Sequence, residues 1–363
     1  MTDCDVAIIG AGIAGASLAA ELAGDRRVIL FEAEDHPGYH TTGRSAAFWE
    51  ECYGGPGIMP LTLASHGALK DGCFLRQRGA LYLVRHGEGA KAAAFVASYA
   101  DRGAQFQRLD RAAIARLVPG LQPEWGSGLF LPRCADIDVA ALHQHYLAEA
   151  RGLGAELRLR HRLEGADAAA GEHTLSFTNG ESVTAHAVVI AAGAWADPVA
   201  ETLGARPLGI TPMRRTVVQL RTAPPPPRAM PLVLDLDGQF YFKPEGDRLW
   251  LSPHDETPSP PCDAAPDEVD IATAIERLGH VTDWRVESVE RKWAGLRSFA
   301  PDRLPVYGYD PRADGVFWFA GQGGYGIQTA PAAARLAAAL FRRECGALPG
   351  GIDPAPYDPA RFA

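Results

Sequence analysis

The chain has 363 residues, of which 47% are hydrophobic and 22% charged, and this composition excludes a disordered protein and predicts two interleaved domains. With 35 Lys and Arg against 44 Asp and Glu, the net charge of −9 argues against nucleic acid or an anionic membrane as a partner. The six cysteines lack CxxC spacing, no basic leader opens the chain, and no window of about 18 apolar residues occurs. We therefore expect a cytoplasmic protein without metal ligands or stable membrane insertion.

The first 32 residues have the pattern of a nucleotide-binding β-α-β unit. Apolar runs at residues 6–9 and 28–31 predict two buried strands, with helical spacing of apolar residues between them. Gly10, Gly12 and Gly15 form a GxGxxG turn between the first strand and the helix. Such a turn permits the close approach of a pyrophosphate, which the N–H groups and the dipole of the helix N-terminus then stabilise. The motif predicts dinucleotide binding.

Glu32 and two later segments indicate which dinucleotide this is. Glu32 ends the second predicted strand, where its carboxylate is placed to accept hydrogen bonds from ribose hydroxyls and would repel a 2′-phosphate. Residues 41–47 offer hydroxyls, a cation and a flexible backbone. Residues 321–326, GQGGYG, place a second helix N-terminus against the cofactor, which a mobile NAD does not need. We therefore predict FAD.

The remaining elements mix helices, a hairpin, a buried strand and an antiparallel sheet. The middle of the chain predicts a strand at 80–84, helices at 90–100, 111–117 and 138–151, hairpin strands at 174–178 and 182–187 joined by Asn179-Gly180, and a parallel strand at 188–191. The later part predicts antiparallel strands at 216–220, 240–243 and 248–252, proline-rich surface loops at 223–231 and 257–266, a strand at 316–320 and a helix at 330–343.

Nucleotide-type elements thus occur at the start, in the middle and at the end of the chain, with antiparallel material between them. We predict an α/β fold with a discontinuous FAD-binding Rossmann-like domain of the glutathione reductase type. An antiparallel β-sheet substrate domain with flanking helices is inserted into it. The predicted FAD-binding domain comprises residues 1–78, 134–206 and 293–363, and the predicted substrate domain comprises residues 79–133 and 207–292.

Ordered sequence matches over nearly the whole chain add a family resemblance. The segments are IIGAGIAGAS, PGYHTTGRSAA, the CYG around Tyr53, DIDVAALHQHYL, AAGAWAD, RPLGITPMRR, FYFKP, WAGLRSF and GQGGYGIQT. With them the chain resembles the D-amino acid oxidase-like family of FAD enzymes, which includes glycine and sarcosine oxidases. Within that family, it is most similar to the bacterial FAD-dependent D-arginine dehydrogenases.

The glycine motifs and the resemblance together imply the cofactor contacts. Sarcosine oxidases attach their flavin through a cysteine near the C-terminus, but Cys345 stands in an unlike context, FRRECGALPG, so we expect non-covalent FAD. The expected FAD-binding residues are Gly10, Gly12, Ile13, Ala14, Gly15, Glu32, Ala33, Thr42, Gly43, Arg44, Ser45, Ala46, Ala192, Gly193, Trp195, Arg297, Gly321, Gly323, Gly324, Tyr325, Gly326 and Ile327.

The resemblance also implies a catalytic set. It assigns Arg215 and Arg297 to the substrate carboxylate, with Tyr53, on a mobile lid, and Tyr241 in the same pocket. A planar guanidinium grips a carboxylate through two parallel bonds, which suits this assignment. A structural salt bridge for Arg297 and a core position for Tyr241 are the alternatives. Arg214 neighbours Arg215 on a predicted strand, so only one of the two faces the substrate.

Two departures from the D-arginine enzymes bear on the substrate. Phe48 replaces a histidine of those enzymes in the pocket, to which Gly323 and Gly324 also belong, and residues 77–82 lack the acid that pairs with the substrate guanidinium. Burying the cationic side chain of a substrate in this pocket, without a carboxylate partner, would cost free energy. Phe48, Trp49 and Leu81 instead favour a substrate with a neutral or apolar side chain. Arg78 is compatible with an acidic substrate as the alternative.

The predicted activity is FAD-dependent oxidation of an amino acid, with D-amino acids favoured. Hydride passes from Cα to flavin N5, and the imino acid hydrolyses to a 2-oxo acid and ammonia. The electron acceptor is oxygen, a quinone or another carrier. Sarcosine oxidases place an oxygen-activating lysine on the strand that here reads 248–252, and its absence favours a dehydrogenase.

Two alternative functions are compatible with the same sequence features. One is a glycine or sarcosine-type secondary amine oxidase of the same fold, and another is a non-catalytic flavin-binding scaffold. The oligomeric state is a monomer or a homodimer. His36, His40 and His143 receive no catalytic role.

Overall fold

The computed structural model describes residues 2–344 and 349–363, so Cys345 lies outside the described residues. The strands are β1 (Cys4–Ile9), β2 (Val28–Phe31), β3 (Phe48–Trp49), β4 (Leu75–Gln77), β5 (Ala80–Arg85), β6 (Gln107–Asp110), β7 (Trp125–Leu131), β8 (Ala135–Ile137), β9 (Glu156–Arg158), β10 (Leu163–Ala169), β11 (Glu172–Phe177), β12 (Ser182–Ile190), β13 (Thr211–Ala223), β14 (Leu232–Asp235), β15 (Tyr241–Glu245), β16 (Arg248–Ser252), β17 (Thr257–Pro258), β18 (Arg285–Phe299), β19 (Val306–Tyr309), β20 (Val316–Ala320) and β21 (Gln322–Gly323).

The helices are α1 (Ile13–Leu22), α2 (Met59–Asp71), α3 (Gly89–Ser98), α4 (Arg111–Leu117), α5 (Val139–Gly152), α6 (Ala196–Thr202), α7 (Glu268–Gly279) and α8 (Gly326–Phe341). Short 3-10 helices cover Gly193–Trp195, Pro349–Gly351, Ala355–Tyr357 and Pro359–Phe362. Within the two described ranges, no helix is long and apolar enough to cross a membrane.

The first sheet combines strands from three distant parts of the chain. Its order is β10-β11-β12-β1-β2-β9, with β20 beside β12 and β19 beside β20. At the centre, β1 pairs in parallel with β12 and β2, and β12 pairs in parallel with β20. The predicted assembly of a parallel sheet from the start, middle and end of the chain is confirmed.

The side chains of β1 alternate between two hydrophobic clusters. Val6 and Ile8 pack with α1, α5 and α8 on one face, while Ala7 and Ile9 pack with α6 on the other. Because helices cover both faces, every side chain of the strand can be apolar, which is why β1 reads as an unbroken apolar run.

The second sheet has ten strands, in the order β21-β18-β13-β16-β15-β14-β5-β7-β6 with β17 paired to β13. Neighbouring strands are antiparallel except β14 and β5. One face packs against α4 and α7. The other brings Val217 and Tyr241 against Ala46 and Phe48. This contact positions the site between the first and second sheets; β3, β8 and β4 form a third, smaller sheet. The domain boundaries stay a prediction.

Most predicted elements are confirmed with small shifts. Asp138 caps α5 by accepting a hydrogen bond from the N–H of Ala141 at 2.9 Å, and the Asn-Gly hairpin joins β11 to β12. The last helix begins at Gly326, four residues before the predicted start. Several elements were not predicted from the sequence, among them α2, α7 and β18. In β18 the first half is exposed on both faces, so it lacks the alternation by which strands are recognised.

Candidate active site

Two open cavities, of about 1030 and 1020 Å³, lie beside the carboxyl ends of the parallel strands. Their walls share Gly12, Thr41, Thr42, Ala191 and Gly193, so together they form one long groove. Two joined cavities that run along the glycine turn suit an extended dinucleotide. The location is the one at which open α/β sheets bind such ligands.

The glycine turn is packed so closely that two of its positions exclude a side chain. A Cβ on Gly10, whose φ is +105°, would lie 2.5 Å from the carbonyl oxygen of Ala191. A Cβ on Gly15 would lie 1.9 Å from the carbonyl oxygen of Gly10. At Gly12 the nearest atom would be Oγ1 of Thr42 at 3.1 Å, and this residue borders both cavities. These contacts fit the roles predicted for the three glycines.

Two side chains, of Glu32 and His143, contact the backbone of the turn at Ala11. Glu32 accepts hydrogen bonds from the N–H groups of Ala11 and Glu34, each at 3.0 Å, and it borders the second cavity. Nε2 of His143 lies 2.9 Å from the carbonyl oxygen of Ala11. Burial lowers the pKa of His143, which keeps the imidazole neutral. No role was predicted for His143 from the sequence, because no local pattern links it to the turn.

Most of the predicted FAD-binding residues line the groove. Those that do are Gly10, Gly12, Ile13, Ala14, Glu32, Ala33, Thr42, Arg44, Ser45, Ala46, Ala192, Gly193, Trp195, Arg297, Gly323, Gly324, Gly326 and Ile327. Gly15, Gly43, Gly321 and Tyr325 are not among its walls. Gly15 instead allows α1 to pack closely against the glycine turn and Leu30. The ring of Tyr325 lies edge-to-face with that of Phe299. The donor-rich turn and the length of the groove fit FAD.

The predicted catalytic residues meet at one end of the first cavity. Tyr53, Arg215, Tyr241 and Arg297 all line it, together with Phe48, Gly323 and Gly324. The register of β13 against β18 explains why Arg215 and Arg297 lie close together on one face of the sheet. Arg297 on β18 lies opposite Met213 on β13, so Arg215 is its diagonal neighbour on the same face. Arg214 points to the other face and pairs with Asp270 at 2.8 Å.

Both cavity arginines are buried, with Arg215 5% and Arg297 8% exposed. Burial and the neighbouring charge of Arg297 lower the pKa of Arg215, because both disfavour the charged guanidinium. Nη1 of Arg297 donates a hydrogen bond to the hydroxyl oxygen of Tyr53 at 3.2 Å. Burial raises the pKa of Tyr241, so its phenol stays protonated. Two desolvated cations and two phenols make an anion-binding end.

Three further residues at this end were not predicted from the sequence, namely His254, Glu256 and Arg303. Glu256 accepts hydrogen bonds from Nη2 of Arg297 at 2.5 Å and Nη2 of Arg303 at 2.9 Å. Burial alone would raise its pKa, but the charges of its arginine partners outweigh burial and lower it. Glu256 lies between β16 and β17, just before the predicted proline-rich loop, and no local signal distinguished it.

His254 contributes a neutral imidazole beside the phenols. Its ring centroid lies 5.7 Å from that of Tyr241 and 6.4 Å from that of Tyr53. Burial, together with the charges of Arg215 and Arg297, lowers its pKa to about 2. The imidazole is therefore uncharged at neutral pH and is a very weak base.

The side-chain pocket differs from the sequence-based expectation. Phe48 lies edge-on to Tyr53, at a centroid distance of 4.9 Å. Trp49 instead packs in the core of the first sheet and Leu81 in that of the second. Arg78 pairs with Asp136 at 2.5 Å and is engaged away from the cavity. Of these four residues, only Phe48 lines the pocket.

The groove, the glycine turn and the two sheets together define an FAD-binding oxidoreductase. Residues 5–340 match the family model described as DAO, FAD dependent oxidoreductase, and the chain belongs to this family. FAD is its cofactor.

Named relatives of the chain include oxidases and dehydrogenases. A glycine oxidase of Geobacillus kaustophilus is 27% identical over 365 residues, which cover 94% of this chain and 93% of that protein. A D-amino acid dehydrogenase of Rhizobium johnstonii is 26% identical over 268 residues, which cover 72% of this chain and 63% of that protein. These relatives agree with the family inferred from the sequence motifs and do not single out its D-arginine dehydrogenase branch.

Two crystal structures share the fold. Glycine oxidase from Geobacillus kaustophilus superposes with a TM-score of 0.84, at 24% identity over 98% of each chain. L-Proline dehydrogenase from P. horikoshii gives a TM-score of 0.86, at 21% identity over 99% of this chain and 98% of that chain. The predicted fold class is thereby confirmed.

Proposed function

We propose that this chain oxidises the Cα–N bond of an amino acid with an uncharged side chain to the imino acid, with D-amino acids favoured. The observation that carries the proposal is the pair of buried guanidinium groups, of Arg215 and Arg297, at the end of the flavin cavity. Glu256 pairs with both groups, but the buried Nε of Arg297 has no hydrogen-bond partner among the described residues, and a substrate carboxylate would add charge-assisted hydrogen bonds at this end.

Arg297 and Arg215 bind the substrate carboxylate in this proposal. A guanidinium holds a carboxylate through two parallel charge-assisted hydrogen bonds, which fix the orientation of the substrate as well as its affinity. The hydrogen bond between Arg297 and the Tyr53 hydroxyl supports a preorganised unit. Tyr241, on the neighbouring part of the sheet, adds a second phenol to the same pocket.

The apolar side chains that line the cavity support a substrate with an uncharged side chain. Phe48, Ala46, Val217 and Leu296 line the first cavity. The carboxylate of Glu256, at the arginine end, is already paired with three guanidinium groups. A substrate guanidinium or ammonium group would therefore lose hydration without gaining a carboxylate partner. This argues against D-arginine as the substrate, although the sequence motifs resemble the D-arginine branch.

The amine must be neutral when the Cα–H bond breaks, since its lone pair stabilises the developing iminium. In this proposal the amine lies near the backbone carbonyls of Gly323 and Gly324, and its proton passes to solvent. His254 is not the base, because a pKa of about 2 leaves it with almost no affinity for a proton at neutral pH. Bound FAD supplies the two-electron acceptor for the hydride.

The product imino acid hydrolyses in water to a 2-oxo acid and ammonia. The electrons then pass to oxygen, a quinone or another carrier. The strand β16, RLWLS, contains no lysine, which supports a dehydrogenase over an oxidase.

A second candidate is the oxidation of glycine or a secondary amine. The observation that favours it is the glycine oxidase of Geobacillus kaustophilus, which is similar over 94% of this chain. Phe48 beside Tyr53 narrows the side-chain end of the cavity, which also suits a small amine.

The test is an anaerobic titration of the FAD-loaded protein with D- and L-amino acids, glycine and sarcosine, following loss of the visible flavin absorbance. Rapid bleaching by neutral D-amino acids, with little by D-arginine, is the expected result. Bleaching chiefly by glycine or sarcosine selects the second candidate. If D-arginine bleaches fastest, the argument from the uncharged pocket is wrong, and if no amine bleaches the flavin, the proposed activity is wrong.

A further inference from the structure

Three guanidinium groups converge on the carboxylate of Glu256, which lies just before β17. Its Oε1 atom accepts hydrogen bonds from Nη2 of Arg297 at 2.5 Å and from Nη2 of Arg215 at 3.4 Å. Nη2 of Arg303 donates to both carboxylate oxygens at 2.9 Å. One internal carboxylate therefore bridges both arginines that we assign to the substrate.

The nitrogen atoms that Glu256 holds are those that a second carboxylate needs. A guanidinium presents two unobstructed forked edges, Nη1 with Nη2 and Nη2 with Nε, and Nη2 belongs to both. On Arg297, Nη2 is engaged by Glu256, while the buried Nε has no hydrogen-bond partner among the described residues. On Arg215, Nε donates to the backbone oxygen of Asp255 at 2.8 Å, and Nη2 again meets Glu256. Each Nη2 carries two N–H groups, one on each edge, so a two-bonded grip on the edge that Glu256 occupies requires Glu256 to release Nη2.

Arg303 offers Glu256 a partner outside the cavity. The side chain of Arg303 is 49% exposed, whereas those of Arg215 and Arg297 are 6% and 9% exposed. Glu256 is itself 33% exposed and is already bonded to Arg303 through both oxygens. A rotation outward would keep this pair and free the two buried Nη2 atoms.

We propose that Glu256 determines substrate affinity: its carboxylate occupies the substrate-carboxylate position in the free enzyme and moves outward on Arg303 when substrate binds. This inference rests on the proposed function, because it assumes that Arg215 and Arg297 bind the substrate carboxylate. While the cavity holds no substrate, Glu256 keeps two desolvated cations paired. When a carboxylate arrives, Glu256 competes with it and raises KM.

The test replaces Glu256 by glutamine and titrates the FAD-loaded enzyme with acetate, a carboxylate without an oxidisable amine. Binding is followed by the visible flavin spectrum and, independently, by the melting temperature. We expect acetate to bind Glu256→Gln about tenfold more tightly than the wild type, as removal of a competing charge pair predicts. KM for the best amine should fall by a similar factor, and kcat should change by less. Glu276→Gln, at a side chain 72% exposed, is the matched control.

A purely structural role for Glu256 predicts the opposite result. If the carboxylate only anchors the arginines, Glu256→Gln will bind acetate no better or more weakly, and its KM will rise; either finding overturns the inference. Glu256→Asp keeps the charge on a shorter side chain, so its acetate affinity should lie between those of the wild type and Glu256→Gln.

Arg303→Gln tests the outward movement separately. Without its outer partner Glu256 stays on the buried arginines, so acetate should bind about threefold or more weakly than to the wild type. In the Glu256→Gln background the same change should alter acetate binding by less than twofold. An equal loss in both backgrounds means that Arg303 attracts the anion directly, and it overturns the movement.

Arg297→Lys separates failure of this inference from failure of the proposed function. If Arg297→Lys weakens acetate binding by tenfold or more and Glu256→Gln does not tighten it, only the inference fails. If Arg297→Lys leaves acetate binding unchanged, the arginine pair is not the carboxylate site, and both the proposed function and the inference fail.

Discussion

Tyr82 donates a hydrogen bond from its hydroxyl group to Oε2 of Glu50 at 2.9 Å, within a fully buried part of the molecule. Oε1 of Glu50 accepts a second hydrogen bond, from the N–H of Cys52 at 3.1 Å. Burial outweighs both bonds and raises the pKa of Glu50 to about 7. The carboxyl group thus titrates near neutral pH beside the segment that carries Tyr53.

Replacement of Glu50 by glutamine should change how stability depends on pH. The unfolded carboxyl group ionises near its ordinary pKa of 4.5 and the folded one near 7, so the wild type loses stability as pH rises between these values. The loss is at most about 3 kcal/mol, from about 2.5 units of difference in pKa. Glu50→Gln should match the wild type near pH 4.5 and exceed it by up to this amount above pH 7. Urea unfolding across this range measures the difference, and a constant offset at every pH would contradict the prediction.

Arg297→Lys should weaken substrate binding far more than Arg214→Lys. Lysine keeps the positive charge but loses the planar fork, so at least one charge-assisted hydrogen bond of about 2 kcal/mol is lost. We expect KM to rise about 30-fold. Arg214 is the matched control because it points to the opposite face and pairs with Asp270, and its replacement should change KM by less than twofold. Comparable effects of the two substitutions would remove Arg297 from the carboxylate site.

Three glycine-to-alanine substitutions should separate cofactor binding from folding. Gly15→Ala places a Cβ 1.9 Å from the carbonyl oxygen of Gly10, so it should destabilise the apoprotein by several kcal/mol. Gly12→Ala has room apart from Oγ1 of Thr42 at 3.1 Å, and should lower FAD affinity about tenfold while the apoprotein melts nearly as before. Gly24→Ala meets nothing within 4 Å and is the control for both. Flavin titration and thermal melting distinguish the three, and unchanged FAD affinity in Gly12→Ala would refute its placement against the pyrophosphate.

His254→Asn should make the protein less sensitive to acid. Burial and two arginine charges lower the pKa of His254 from 6.5 to about 2, so below pH 6.5 only the unfolded imidazole binds a proton. Stability therefore falls as pH drops below 6.5, by up to about 1.4 kcal/mol per pH unit. Asparagine suits the left-handed backbone of this residue, whose φ is +56°, and removes the titration. Urea unfolding from pH 6.5 to 4.5 should show a shallower slope than in the wild type and in His280→Asn, an exposed control.

The strand, turn and helix at the start of the chain followed from the sequence because their causes are local. Three glycines at fixed spacing, two apolar runs and a terminal Glu32 leave few other conformations. The opposite directions of Arg214 and Arg215 also followed, since adjacent side chains of a strand must alternate. Where local causes were weak the prediction failed, as in β18, whose first half is exposed on both faces.

The pocket walls were only partly predictable. Phe48 was placed correctly, but its neighbour Trp49 turns to the core of the first sheet, where its Nε1 donates to the carbonyl oxygen of Thr62 at 2.9 Å. Arg78 is held by Asp136, 58 residues further along the chain. Residue type indicated a pocket in these segments, whereas direction depended on which partner each side chain met.

Glu256 was decided by the tertiary structure alone. It lies 41 residues from Arg215 and 41 residues from Arg297, in a loop without periodic pattern. The register of β13 against β18 brings the two arginines together, and the path of the loop after β16 then carries the carboxylate onto them. Local sequence encodes turns, capping and strand faces, because neighbouring residues determine them. Which charges meet in a buried site depends on sheet register and packing between distant segments, and only the folded chain fixes these.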